Sequence, residues 1–337
     1  MFFLIDHLLY RDDLVEHLEL ILPLDQEGVI RTFIHQPGLQ GNLEKRKIYS
    51  QMAFQEGKKK LFDYILHVPF FMPNLLNVSE EMIIFSNGLI PVPPLGKAKL
   101  KFYYLHEWIW DELNWSGLSW WKKILLKSYE KRVLLSLQQS TFPILVSSQV
   151  LAKKLQLNHY QCIASFYKSE DFPLVEMEGL REAYSLCLDG VRKEDSEYLQ
   201  TLFLQDSKQE WFIFGKNNFE IGLPEKVQYY ETFCAGQLQA AFLQSKCFIS
   251  FGRSAFPKIE LASLSCGVPI VIRENLITYE FIPTGLRLSF SSMNELGIVL
   301  QQLSMHAPKF DGKEMRRFAL RFNEKHFKDK VQRFLIK

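Results

Sequence analysis

A chain of 337 residues exceeds the size at which one hydrophobic core usually keeps growing, so its length predicts two domains. Hydrophobic residues make up 47% and charged residues 23% of the sequence, which excludes a disordered or fibrous protein. The net charge of +2 excludes a nucleic acid as the main partner, because that polyanion is bound by many clustered Lys and Arg side chains.

The first half of the sequence alternates short apolar runs with segments of helical periodicity. The predicted strands are 2–5, 29–34, 82–85, 101–105, 142–146 and 161–166. The predicted helices are 12–22, 58–66, a Trp-rich and Lys-rich helix from about Ser119 to 137, and 148–157 capped by Ser147 and Ser148. The opening apolar run is broken by Asp6 and His7, so it predicts no signal peptide.

The second half repeats the alternation. Its predicted strands are 184–188, 211–214, 247–251 and 268–272, and its predicted helices are 194–205, 231–245, 258–265 and a charged amphipathic tail from Gly312. Such alternation is typical of an α/β protein with doubly wound parallel sheets, in which ligands bind at the carboxyl ends of strands. We predict domains at 1–167 and 183–310, a linker at 168–182, and a C-terminal helix at 311–337 that packs back towards the N-terminal domain.

The five cysteines show no metal-ligand spacing, and no apolar stretch approaches the ~20 residues that span a bilayer. An odd number of thiols without a disulfide pattern indicates reduced cysteines in the cytoplasm. We also find no Asp-x-Asp or His cluster suited to a metal, so the prediction is that no metal is bound.

The segment from Cys247 to Glu274 carries the most chemical information. A strand ends at Phe251, a turn with Gly252, Arg253 and Ser254 follows, and Pro257 stands where a first helical position favours proline. The backbone amides and dipole of the following helix would suit an anionic diphosphate. A capped strand-to-helix turn without a ligand is the alternative.

This segment resembles the donor-binding segment of GT-B glycosyltransferases, particularly the retaining, nucleotide-sugar-dependent enzymes called family 4. The resemblance rests on Phe256-Pro257-Lys258 and, more specifically, on Ser265-Cys266-Gly267-Val268-Pro269-Ile270-Val271. It implies a GT-B fold: two Rossmann-like doubly wound domains that face a cleft, the N-terminal one binding the acceptor and the C-terminal one the nucleotide-sugar donor. No cofactor is implied, since the nucleotide diphosphate sugar is the substrate.

The chain departs from the family at two acidic positions. The family's two acidic residues, separated by seven others, fall at Ser254 and Ala262, and Glu260 lies two residues before the second. In the family, the first acid approaches the donor sugar and the second holds the ribose. The departure therefore leaves phosphate recognition intact and changes sugar and ribose recognition, or removes catalysis.

The resemblance also implies a set of site residues. Phosphate cations would follow the first strand of the C-terminal domain, where Arg192 and Lys193 stand, adjacent and not spaced as in the family; Lys216 after the next strand and Arg253 near the turn are additional candidates. The predicted donor-binding residues are Arg192, Lys193, Lys216, Gly252, Arg253, Ser254, Phe256, Pro257, Lys258, Ile259 and Glu260. His106 resembles a family histidine near the reacting sugar, and the predicted catalytic residues are His106, Glu107 and Asp111. For His106 the alternative is a histidine that satisfies a loop carbonyl.

The Trp-rich helix admits two interpretations. Trp120 and Trp121 with Lys122 and Lys123 would suit a membrane interface with anionic lipid. Alternatively, it is a core helix that turns inward the leucines Leu125, Leu126, Leu134 and Leu135.

Taken together, these features predict a metal-independent glycosyltransferase that transfers a sugar to a carbohydrate or lipid-linked acceptor, for example in cell envelope polysaccharide synthesis. Such a protein would be cytoplasmic or peripheral on the inner face of the membrane. The alternative is a catalytically degenerate GT-B protein that serves as a binding or scaffolding subunit. An epimerase or phosphorylase on the same scaffold is a third, weaker option.

Overall fold

The structure is a computed structural model, and it divides into two compact units. The first consists of Met1–Ala164 and Lys328–Lys337, and the second of Ser165–Phe327. The described residues are 2–5, 31–33, 81–86, 88, 91–92, 99–108, 110, 119–174, 182–205, 209–217, 219–223, 225–252, 256–274, 280–305 and 310–335. The helices predicted at 12–22 and 58–66 lie outside these residues.

The first unit contains a parallel sheet. Its described strands are β1 (Phe2–Ile5), β2 (Arg31–Phe33), β3 (Glu81–Ser86), β4 (Lys99–Leu105), β5 (Ile144–Val146) and β6 (Tyr160–Cys162), in the order β2-β1-β3-β4-β5-β6. Every described pair of neighbours is parallel. This sheet matches the doubly wound architecture that the alternating pattern predicts.

Two described helices lie wholly within the first unit, α1 (Trp120–Gln138) and α2 (Gln149–Lys154). The Ser148 hydroxyl caps α2 by accepting a hydrogen bond from the Leu151 amide at 2.9 Å. The helix ends at Lys154, short of the predicted residue 157. It ends there because Gln156 adopts a left-handed backbone with φ of 53°, a conformation that terminates helices.

The second unit contains another parallel sheet. Its strands are β7 (Ala183–Cys187), β8 (Trp211–Phe214), β9 (Val227–Tyr230), β10 (Ser245–Ser250), β11 (Ile270–Arg273) and β12 (Arg287–Phe290). The order β12-β11-β10-β7-β8-β9 is the 3-2-1-4-5-6 order of the Rossmann fold, read from the other edge. The β7–β10 pair lies at the centre and is buried on both faces.

The helices that follow are α3 (Lys193–Gln205), α4 (Ala235–Gln244), α5 (Lys258–Ser265), α6 (Met293–Met305), α7 (Gly312–Ala319) and α8 (Glu324–Leu335). One face of the sheet packs against α3 and α6 through fully buried side chains, including Leu186, Leu199, Ile213, Ile249 and Leu296. This core forms because consecutive strands of a parallel sheet are joined by helices that must lie on its faces.

The structure corrects two further predicted elements and adds β9, β12 and α6, which were not predicted. The predicted helix 231–245 begins only at Ala235, after β9, a half-buried edge strand with no continuous apolar run to mark it. The predicted single helix from Gly312 is two helices separated by a 3-10 turn at Leu320–Phe322. Asn323 caps the second of them, accepting a hydrogen bond from the His326 amide at 3.0 Å. All five cysteines are described, and no disulfide joins any of them.

A substitution at Gly267 tests how closely the residues around the end of α5 are packed. Its φ is +72°, and an added Cβ would lie 2.9 Å from Cδ1 of Leu174. We expect Gly267→Ala to lower the free energy of unfolding by at least about 1 to 2 kcal/mol, the cost of a left-handed L-residue. Gly285→Ala is the matched control, since nothing lies within 4 Å of its added Cβ. Equal urea midpoints for the two variants would contradict this account.

Candidate functional site

The chain order of the second sheet reverses between β7 and β10. From β7 the chain continues to β8 on one side, and from β10 it continues to β11 on the other. In open parallel sheets, ligands bind outside the carboxyl ends of the strands at such a switch point. The two loops that leave β7 and β10 therefore frame the candidate site.

The loop after β7 brings two predicted cations to the start of a helix. Val191 closes the turn by donating its amide to the carbonyl of Leu188 at 3.1 Å. Arg192 and Lys193 follow, with exposed side chains, and α3 begins at Lys193. The guanidinium of Arg192 lies 3.8 Å from the carboxylate of Glu194, and their side chains are 61% and 69% exposed. This surface pair is weak, so Arg192 can exchange Glu194 for an anionic ligand.

A buried ion pair fixes the position of the loop after β7. Arg273, at the end of β11, donates two hydrogen bonds to the carboxylate of Asp195, at 2.6 and 2.8 Å. Asp195 also accepts a hydrogen bond from the backbone amide of Arg192 at 3.1 Å. The Arg273 guanidinium lies over the rings of Phe251 and Phe290, at 5.5 and 5.9 Å from their centres. One side chain at the end of β11 thus contacts the start of α3, the loop after β10 and the end of β12.

The pKa of the Asp195 carboxyl reflects this pairing. Burial alone would raise it, but the hydrogen bonds from Arg273 and from the Arg192 amide, together with both positive charges, outweigh burial and lower the pKa. Asp195 therefore stays ionised in the folded protein and keeps the start of α3 in place.

The end of β8 lies against the loop after β7. Gly215 has a φ of +93°, and an added Cβ would lie 2.9 Å from a carboxylate oxygen of Asp189. The predicted phosphate cation Lys216 comes next and is exposed. Because the sheet is parallel, Lys216 lies at the same edge as Arg192 and Lys193.

Ser250 connects β10 to the helix that follows. Its hydroxyl donates to the carboxyl of Glu260 at 2.5 Å and accepts from the amide of Gly252 at 3.1 Å. Glu260 is 6% exposed. Burial raises the pKa of its carboxyl, hydrogen bonds from Ser250 and from its own amide oppose the shift, and the charge of Asp189 adds to it. The Glu260 carboxyl thus accepts hydrogen bonds from within the protein. Its contact with a nucleotide-sugar donor stays a prediction.

The first turn of α5 leaves one amide for a ligand. The Lys258 amide donates to the carbonyl of Phe256 at 2.9 Å, Pro257 carries no amide hydrogen, and Glu260 bonds its own amide. Among the described residues, the Ile259 amide has no hydrogen-bond partner. Phe256 is buried against Phe281 and Phe322, with ring centres 5.5 and 6.1 Å away. The start of α5 therefore offers an anion fewer amide hydrogens than the sequence alone suggests.

In the first unit, His106 and Glu107 follow β4, at the carboxyl end of the strand as predicted. Both are buried, with 1% and 4% of their surface exposed. The backbone of His106 is held by the amide-to-carbonyl bond with Ser86 at 2.9 Å and by the Ser147 hydroxyl, which donates to its carbonyl at 2.5 Å. Their catalytic roles stay predictions.

Three predicted site residues, Asp111, Arg253 and Ser254, lie outside the described residues. Two connecting side chains were not predicted as part of a site, Asp195 and Arg273. They are 78 positions apart, and no local pattern marks such a pair. In the sequence, Asp195 is recognisable only as a carboxylate in the first turn of α3, and Arg273 only as an arginine that ends an apolar strand.

Solved structures show the fold to which this architecture belongs. Sucrose-phosphate synthase from Thermosynechococcus elongatus is 11% identical, with a TM-score of 0.65 over 98% of this chain and 97% of the other. HepE from Anabaena, solved with UDP and glucose, is 10% identical, with a TM-score of 0.64 over 100% and 99%. WaaG, a glycosyltransferase involved in lipopolysaccharide biosynthesis, is 12% identical, with a TM-score of 0.62 over 98% and 95%.

These similarities and the two sheets define an α/β protein with two Rossmann-like domains. Its fold is that of the GT-B glycosyltransferases, as the sequence resemblance implied. No protein-family profile and no curated protein sequence matches the chain. Across the described ranges no helix is long and apolar enough to cross a bilayer, and no group of three or more His, Cys, Asp or Glu is placed to hold a metal ion.

Asp195 gives a test of the buried ion pair. We expect Asp195→Asn to lower the free energy of unfolding at pH 7 by about 3 kcal/mol, because Arg273 keeps its buried charge and loses its partner. The folded pKa of Asp195 is lowered, so the ion pair stabilises fully above the ordinary carboxyl value and is lost as pH falls through the folded value. Urea unfolding of the two proteins should therefore converge below about pH 4.

Glu194→Gln is the matched control. It removes the neighbouring carboxylate, whose exposed ion pair with Arg192 is expected to contribute no more than about 0.5 kcal/mol. A loss of stability for Asp195→Asn that stayed constant from neutral to acidic pH would show that the charge of Asp195 is not what matters.

Proposed function

We propose that this protein is a glycosyltransferase that moves a sugar from a nucleotide diphosphate sugar to a carbohydrate or lipid-linked acceptor. The observation that carries the proposal is the switch point of the second sheet, where exposed cations stand at a helix start beside the β10-to-α5 loop. A diphosphate is the ligand class that such an edge suits. That HepE was solved with UDP adds support.

The proposed chemistry depends on stabilising a departing diphosphate. As the bond between the sugar and the diphosphate breaks, negative charge grows on the leaving phosphate oxygens. Arg192 and Lys193 would offset that charge, with Lys216 and the Ile259 amide as further donors at the same edge. Preorganised charges of this kind supply a large part of the rate enhancement in many enzymes. The proposal needs no metal ion, and activity that persists in EDTA would support this part of it.

Nucleotide binding tests the donor site. We expect UDP, GDP or ADP to bind in isothermal titration, and we expect Arg192→Ala combined with Lys193→Ala to weaken that binding by about three- to tenfold, since two charged contacts to phosphate are lost. The control is Lys153→Ala with Lys154→Ala, which removes two adjacent exposed cations from α2 in the first unit. No heat with any of the three nucleotides would contradict the proposed donor site, and equal losses in both double variants would remove Arg192 and Lys193 from it.

A binding or scaffolding protein that has lost catalysis is the second candidate. It is favoured by the replacement of both family acids, since Ser254 and Ala262 stand in their places and Ala262 is 1% exposed. Such a protein would bind a nucleotide diphosphate without turning over its sugar ester. Release of free UDP from UDP-glucose, with or without added acceptor, separates the two candidates.

The outward face of α1 supports the proposal of a membrane-associated acceptor. The helix buries Leu126, Tyr129, Val133 and Leu137. Its exposed apolar side chains are Trp120, Trp121, Ile124, Leu125 and Leu135. The expected inward packing of Leu125 and Leu135 is therefore wrong: they are 44% and 40% exposed, while Leu126 is buried and Leu134 half-buried.

The charged residues of α1 indicate the kind of membrane surface that the helix would bind. The helix carries five cations, namely Lys122, Lys123, Lys127, Lys131 and Arg132, and a single acid, Glu130. Lys127, Lys131 and Arg132 are exposed among the apolar side chains. An outward face with indoles and cations suits the interface of an anionic bilayer, where both can be satisfied at headgroup depth.

Vesicle binding tests this face. We expect the protein to bind vesicles that contain phosphatidylglycerol, and Trp120→Ser with Trp121→Ser to lower binding by about tenfold or more, because a buried large apolar side chain contributes about 1.5 to 3 kcal/mol. Binding should also weaken as salt is raised. Ile298→Ser is the control, since this side chain of α6 is 55% exposed on the other unit. Equal binding to neutral phosphatidylcholine vesicles would exclude the role of the cations.

A further inference from the structure

Glu260 is a buried carboxyl to which no cation is paired among the described residues. It lies in the first turn of α5, it is 6% exposed, and in the described part of the chain no Lys, Arg or His pairs with it. The carboxylate of Asp189, which has the same sign, raises the pKa of Glu260 further. Burying such a group lowers stability relative to an apolar side chain of similar size. Its presence therefore points to a task other than stabilising the core.

The contacts of Glu260 indicate what that task is. The Ser250 hydroxyl has one hydrogen, which it donates to the Glu260 carboxyl at 2.5 Å. With that hydrogen directed to Glu260, a lone pair of the same oxygen accepts the amide hydrogen of Gly252 at 3.1 Å. Gly252 has a φ of +56°, in the left-handed region. The three residues thus form a chain of hydrogen bonds that turns the backbone as it leaves β10.

We propose that Glu260 is a positioning residue for anion recognition: by orienting the Ser250 hydroxyl it holds Gly252 in its turn, at the point where the chain leaves β10 beside the switch point. This inference rests on the proposed function for the anion, whereas the hydrogen-bonded chain does not depend on it. The role differs from direct contact with a ligand, because the Glu260 carboxyl bonds the protein and not the open edge of the sheet.

Two substitutions separate positioning from packing. Glu260→Gln keeps an amide oxygen that accepts the Ser250 hydrogen, whereas Glu260→Met fills the same volume without an acceptor. If Glu260 only packs, Met should serve as well as Gln or better, since it removes a buried polar group. If Glu260 positions the loop, Gln should rescue and Met should not.

The first measurement uses the protein without ligand. Hydrogen exchange of the Gly252 amide should rise by about three- to tenfold in Glu260→Met and in Ser250→Ala, the range for one lost hydrogen bond, and stay within about twofold of the parent in Glu260→Gln. Ser263→Ala is the matched control, because it removes a buried hydroxyl of the same helix whose bond goes to the carbonyl of Val268 at 3.1 Å. Unchanged Gly252 exchange in both Glu260→Met and Ser250→Ala would overturn the inference.

The second measurement is the affinity for UDP. We expect Glu260→Met and Ser250→Ala to weaken it by about three- to tenfold, even if the Met variant unfolds at a higher urea concentration than the parent. A protein with higher stability and weaker binding is an outcome that a packing role does not produce. Equal UDP affinities for Glu260→Met and Glu260→Gln would refute the positioning role while leaving the proposed function intact. Failure of the parent protein to bind UDP, GDP or ADP would instead remove the proposed function, and the anion role of Glu260 with it.

Discussion

Parallel pairing is the constraint on which the rest of this structure depends. Because neighbouring strands of these sheets run in the same direction, the chain must cross over between one strand and the next. The helices of these crossovers cover the faces of the sheet. The carboxyl ends of the strands and the amino ends of the following helices consequently meet along one edge. In the second unit this brings together the starts of α3 and α5, which follow the adjacent strands β7 and β10. The position of the candidate site is thus a property of topology before it is a property of any side chain.

Buried and exposed charges at this edge have different tasks. Two pairs lie beneath the surface: Asp195 with Arg273 links the start of α3 to the end of β11, and Ser250 with Glu260 links the end of β10 to the helix that follows it. Arg192 and Lys193 are exposed, and among the described residues the ion pair that a ligand would have to displace is the weak one between Arg192 and Glu194. Cations stabilise a bound anion most when their backbone is already in place. The buried pairs therefore preorganise the backbone that carries the exposed cations.

The sequence predicts many regular elements of the second unit, but it misses β9, β12 and α6 and does not predict the long-range contacts. Helix α5 has the bounds that its periodicity indicated, because Pro257 and Gly267 mark its two ends. Strand β9 was missed because half-buried edge strands lack an apolar run. The position of His106 at the end of β4 follows from topology, whereas its burial depends on packing that a local pattern does not contain. For the same reason neither Arg273 nor Ser250 could be assigned to a site from its neighbours in the chain.

The central pair of strands also has a consequence for synthesis of the protein. Strand β7 emerges early, but its partner β10 follows only after β8, β9 and α4. A strand that will be buried on both faces and paired on both sides therefore waits with one free edge, and such an edge can pair with another nascent chain. Non-local pairing of this kind also slows folding, since the loop must close before its contacts form. The same topology that assembles the ligand edge thus leaves one edge of β7 without its partner while the residues between Cys187 and Ser245 are synthesised.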